Sequence, residues 1–110
     1  MFVHHETHGV VDVFRPAGRL DSATSGDLES LLLERLEQGC RGVVLDLSEL
    51  DYISSAGLRV VLMAGKRLRA GGGRLALARL RDSVRDLFEM SGFLTLFAVA
   101  PSVDDAIAKF

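Results

Sequence analysis

The sequence predicts a single-domain α/β fold: a mostly parallel sheet, an antiparallel edge strand from an N-terminal hairpin, and about four helices. Three observations lead there. Strand-type apolar runs alternate with segments of helical period after the first two runs. Each helical segment carries one apolar stripe, so each can lie on a sheet. The chain has 110 residues, 48% of them hydrophobic, which suits one domain, residues 1–110, around one sheet.

The elements follow in order. Phe2 and Val3 open a strand that breaks at His8-Gly9, and Val10, Val11, Val13 and Phe14 form the second arm of a hairpin. Pro16, Ala17 and Gly18 interrupt that arm. Leu28, Leu31, Leu32 and Leu36 share one helical face. Ser22, Thr24 or Ser25 can cap this helix, which should start close to Gly26 and end at Gly39. Val43, Val44, Leu45 and Leu47 form a nearly continuous apolar run, as expected of a strand buried on both faces. A second amphipathic helix carries Leu58, Val61, Leu62, Gly65 and Leu68 and stops at Gly71.

Leu75 and Leu77 then mark a strand. Val84, Leu87 and Phe88 mark a short helix, with Ser83 as its cap and Gly92 after its end. The run from Phe93 to Ala100 reads as the last strand, broken by Pro101. Val103, Ala106, Ile107 and Phe110 form the stripe of a closing helix, with Asp104 and Asp105 at its positive end.

Composition narrows the function. A net charge of −2 argues against a direct nucleic-acid partner, although Lys66, Arg67 and Arg69 form a local basic group. No run approaches the ~20 apolar residues of a membrane span, and the first residues lack the pattern of a secretory signal. A cytoplasmic chain with no direct membrane contact is expected. Cys40 is alone, so it reads as an inert small residue near a helix end. His4, His5 and His8 have no metal-type spacing, and no metal or cofactor is implied. Gly71-Gly72-Gly73 precedes a strand, whereas a phosphate cradle follows one and opens a helix. Asp12, Asp21, Asp46 and Asp51 show no spacing that would set up acid–base chemistry.

The segment from Leu50 to Leu62, LDYISSAGLRVVL, needs a separate explanation. Two serines and a glycine separate an apolar run from a helix. By their own chemistry, either Ser54 caps the helix and Ser55 is a solvated first-turn residue, or one of them reacts. A small serine hydrolase would need a base, and the histidines all lie near the N-terminus.

These residues carry a resemblance. Asp46-Leu47-Ser48 followed by Tyr52-Ile53-Ser54-Ser55-Ala56-Gly57-Leu58 resembles the STAS domain family, and most closely its small bacterial anti-sigma factor antagonists. Gly18-Arg19-Leu20-Asp21 resembles the family's approach to its first helix, and the segment from Ala64 to Phe93 resembles its next helix, strand and helix. The resemblance implies a binding module and not an enzyme. It implies Ser55, two residues before the glycine, as the phosphorylation site, with Ser54 as the alternative. It implies a partner surface of Asp21, Ser22, Ser54, Ser55, Ala56, Gly57 and Leu58. The implied partners are an anti-sigma factor with serine-kinase activity and a serine phosphatase. The chain departs from the family pattern at Ser54, where an acidic residue is usual, and at Ala56, where a serine or threonine is usual. The alternative within the family is a subunit of a membrane lipid-transport ATPase assembly that docks constitutively.

Overall fold

Val43, Val44 and Leu45 are all fully buried, and their side chains divide between two cores. They lie on β4 (Gly42–Asp46), the central strand of a five-stranded sheet in the computed structural model, which describes residues 1–110. Around β4 stand β1 (Val3–His8), β2 (Val11–Pro16), β6 (Arg74–Ala78) and β7 (Ala98–Ala100). The order across the sheet is β1-β2-β4-β6-β7. Only β1 runs antiparallel, paired with β2 across the turn at Gly9. The edge hairpin and the parallel remainder agree with the sequence reading.

The strand order never reverses. Right-handed crossovers therefore place successive helices on one face. That face carries α1 (Ser25–Glu37), α2 (Ser55–Ala70) and α3 (Asp82–Met90) over the larger core, which includes Phe14, Leu28, Leu32, Leu45, Val61 and Phe88. The closing helix α4 (Val103–Ile107) covers the other face, where Val11, Val13, Val44, Ala76, Ala78, Ala100 and Ala106 form a smaller core. The two-residue side-chain period of a strand explains the sequence of β6: Leu75 and Leu77 face the larger core, Ala76 and Ala78 the short helix.

Three expectations are corrected. The predicted interruption over residues 16–18 narrows to Ala17: β2 runs through Pro16, and β3 (Gly18–Leu20) follows, pairing in parallel with β5 (Leu50–Ile53) as a separate two-stranded sheet. Strands of three and four residues are too short to show a period of two. The predicted strand over residues 93–100 shrinks to β7, because residues 94–96 form a 3-10 turn. Phe97 leaves the strand path to pack edge-on against Phe88, with ring centroids 6.3 Å apart. Ser83 does not cap α3. Arg81 holds the cap position, and the Ser83 hydroxyl is 3.5 Å from the Asp51 carbonyl.

The triple glycine acts as the expected helix stop. Gly72 has φ +83°, and the Gly73 N–H donates to the Leu68 carbonyl at 2.7 Å. A Cβ on Gly73 would lie 2.0 Å from the Arg41 carbonyl oxygen, so only glycine fits there. Cys40 is half-buried. Its burial, and then the Asp12 carboxylate beside it, push its thiol up to about 11, which removes the thiolate needed for reactivity at neutral pH.

Candidate functional site

The site is assembled where β4, β5 and β3 deliver the chain to the head of α2. Asp46 ends β4 and is buried. Its carboxylate accepts from the Ser48 N–H at 3.1 Å, a local turn that sends the chain out of the main sheet toward β5. The Arg79 guanidinium stands 3.7 Å from the same carboxylate. Arg81 donates to the Ser48 carbonyl at 2.7 Å and pairs with the Asp51 carboxylate, tying the start of α3 to this connection.

β5 then lies beside β3, and the Ser54 N–H donates to the Leu20 carbonyl at 2.9 Å. Ser54 is the N-cap of α2, with extended backbone. Its hydroxyl accepts from the Gly57 N–H at 3.3 Å. Gly57 is buried because the helix start meets β3 and β5 at van der Waals distance. A Cβ there would lie 2.8 Å from Ile53 Cγ1, Leu20 Cγ and the Leu20 carbonyl oxygen. Serine and glycine at this spacing thus have separate structural tasks: one caps, the other permits contact.

Ser55 has neither task. It is the first residue of α2 and is exposed. The N–H groups of Ser55 and Ala56 have no protein acceptor, as expected in a first helical turn. No acidic residue stands in that turn to offset the positive end of the helix dipole. Arg59, four residues on, is exposed and has no carboxylate partner; this spacing puts it on the same helix face as Ser55.

Asp21 follows directly on Leu20 and so borders the capping serine. Its carboxylate accepts from the Ala23 N–H at 3.0 Å and lies 3.2 Å from the Thr24 hydroxyl. These hydrogen bonds, the Ala23 bond foremost, and the nearby Arg19 hold it below the usual carboxylate range. Ser22 is exposed at the crest of this turn. Arg19 lies over the Tyr52 ring, 4.3 Å from its centroid, and joins β3 to β5 on the outside.

The predicted residues divide into two groups. Ser22, Ser55 and, in part, Asp21, Ser54 and Ala56 reach the surface. Gly57 and Leu58 are buried and support the site from beneath. Sequence reasoning passed over Arg59 and the Arg19–Tyr52 pair. The four-residue interval from Ser55 was a usable signal for Arg59; the Arg19–Tyr52 contact depends on a strand pairing that has no such signal.

No imidazole reaches either serine. His5 bonds to Asp12 at 2.7 Å, and His4 and His8 each bond to Glu6 at 3.0 Å. His5 also stacks on Phe14, with ring centroids 4.4 Å apart.

The profile of the STAS domain matches residues 3–106, and the chain belongs to that family. Among its relatives is the Bordetella bronchiseptica protein that carries the name anti-sigma factor antagonist BtrV. It is 52% identical over 93 residues, covering 84% of this chain and 80% of that one. An anti-sigma F factor antagonist of Paenibacillus polymyxa is 31% identical over 106 residues, covering 96% of this chain and 88% of its own. The fold matches solved structures of the anti-sigma factor antagonist SpoIIAA. The unphosphorylated form gives a TM-score of 0.85 at 24% identity, covering 98% of this chain and 95% of that one. The phosphorylated form gives a TM-score of 0.77 at 23% identity, covering 98% of each chain.

Proposed function

We propose that this chain is an anti-sigma factor antagonist whose binding surface surrounds the head of α2 and is switched by phosphate on Ser55. In the unphosphorylated state it binds an anti-sigma factor and so frees the sigma factor. Kinase activity in that partner transfers phosphate to the Ser55 hydroxyl, which ends the binding, and a serine phosphatase restores it. The chain acts as a binding protein in the cytoplasm and catalyses nothing itself.

One observation carries this reading: an exposed serine with no structural task, at the uncompensated positive end of α2. It gains support from the 52% identity to BtrV, and from SpoIIAA, of the same fold, having been solved with and without phosphate. Ser54, by contrast, is committed to the cap.

The physical consequence of phosphate is local. It adds about −1.5 to −2 charges at neutral pH. The free N–H groups of the first turn, the dipole and Arg59 all favour that charge, so the domain stays folded. A partner surface shaped to a neutral hydroxyl must instead desolvate it. A loss of roughly 3 kcal/mol weakens binding by about a hundredfold.

Phosphosite mapping on the chain isolated from growing cells, with Ser55→Ala beside the wild type, tests the assignment. Phosphate on Ser55, absent from the variant, is the expected result. Phosphate on Ser54 alone, or none under any growth condition, contradicts it.

A further inference from the structure

A hollow of about 430 Å³ lies well away from Ser55, between the C-terminal half of α2, the start of β6 and the turn before β7. Its volume is within the range of small-ligand pockets. Leu62, Leu75, Leu96 and Phe97 supply apolar wall. Phe97 lies against α2 at Gly65, where a Cβ would come within 2.8 Å of its ring. Leu96 is 45% exposed at the rim.

Three cations line the same hollow: Lys66, Arg69 and Arg74. None has a carboxylate partner, a condition shared with Arg41, Arg59, Arg67, Arg85 and Lys109 but not with Arg15, Arg19, Arg35, Arg79 and Arg81; what sets the three apart is that they line one hollow. Arg69 donates to the Leu96 carbonyl at 3.5 Å and Arg74 to the Lys109 carbonyl at 3.0 Å. Each guanidinium has five N–H donors, so most remain available. No acidic residue lines the hollow, although the chain has 15 acidic residues against 13 lysines and arginines. Unpaired cations converging on an apolar cavity, in a chain with surplus acid, are a charge pattern complementary to one class of ligand.

We propose that this hollow binds a small anionic amphiphile, an apolar body carrying a phosphate or carboxylate. The apolar part packs on Phe97, Leu62 and Leu96, and the anion takes the free donors of Lys66, Arg69 and Arg74. This site is independent of the switch at Ser55 and stands or falls without it.

The test is an amide-resolved NMR titration of the full ¹⁵N-labelled chain with decyl phosphate and with decanoate, both below their micelle concentrations. Inorganic phosphate and decyltrimethylammonium serve as the anion without a chain and the chain without an anion. The expected result is saturable shifts at Gly65, Leu75, Phe97 and Ala98 with one or both anionic amphiphiles, and binding of both controls weaker by at least about tenfold. The preferred of the two anions identifies the head group. The exposed double variant K66E/R69E should lose at least about tenfold in affinity while keeping the wild-type spectrum elsewhere. L96D should weaken binding through the apolar wall. Equal binding of decyltrimethylammonium, shifts centred on another surface, no saturation with either anion, or unchanged affinity in both variants would overturn the proposal.

Discussion

Neighbouring residues of the same type do unlike work at the head of α2. Ser54 and Ser55 differ only in which side of the helix boundary they occupy. The first turns its hydroxyl back to the Gly57 N–H; the second faces water. Stability should separate them. Ser54→Ala is expected to cost about 1 kcal/mol through the lost cap, and Ser55→Ala close to nothing. Gly57→Ala should cost more than either, about 1–3 kcal/mol, because its Cβ must displace Leu20 or Ile53. Urea unfolding of the three variants checks the order. A Ser55→Ala loss equal to that of Ser54→Ala would give Ser55 a structural task and weaken its reading as a free acceptor.

At the scale of elements, the edge hairpin is fastened to α1 by a buried charge. Asp12 on β2 is 2% exposed and accepts from His5 on β1 at 2.7 Å and from Arg35 on α1 at 3.2 Å. Burial alone would raise its pKa. Hydrogen bonds from the Cys40 thiol, His5 and Arg35 outweigh burial and hold it below the ordinary aspartate value. A folded pKa below the unfolded one stabilises the fold above the ordinary aspartate range. That contribution disappears as the pH falls through the folded pKa. Asp12→Asn should therefore be less stable than wild type by about 1–3 kcal/mol at neutral pH, and the two should converge as the pH falls through the folded pKa, below the ordinary aspartate value. Urea midpoints across that range measure it. A gap that stays constant with pH would mean that the Asp12 charge is not what fastens the hairpin.

Seen whole, the molecule separates its two surfaces along one helix. The α2 head meets the small β3–β5 sheet, while its last turn meets the start of β6. The alternation of strands and helices was legible in the sequence because long apolar stripes and β-branched runs have distinct periods, as in Leu28 to Leu36 against Val43 to Leu47. The β3–β5 sheet was not, since three residues such as Gly18–Leu20 hold no period and their pairing is decided by distant chain. The final strand was read too long because Phe93, Thr95 and Phe97 are strand formers by type, whereas Phe93, Leu94 and Phe97 are drawn to the larger core. At the site, Ser-Ser-Ala-Gly located the helix boundary. The apolar stripe already placed Leu58 in the core, but which elements Gly57 would meet was not legible, because its contacts with Leu20 and Ile53 come from the hidden β3–β5 pairing.

Charge at Ser55 is proposed to decide partner binding while the fold stays intact. The most direct test is the capture of a kinase-like anti-sigma factor from the source cell by three tagged chains: wild type, Ser55→Ala and Ser55→Glu. Unfolding curves of the three are recorded alongside. Ser55→Ala is expected to retain the partner and Ser55→Glu, equally stable, to lose it by about tenfold or more. Equal retention by all three chains would contradict the switch and leave a constitutive docking module.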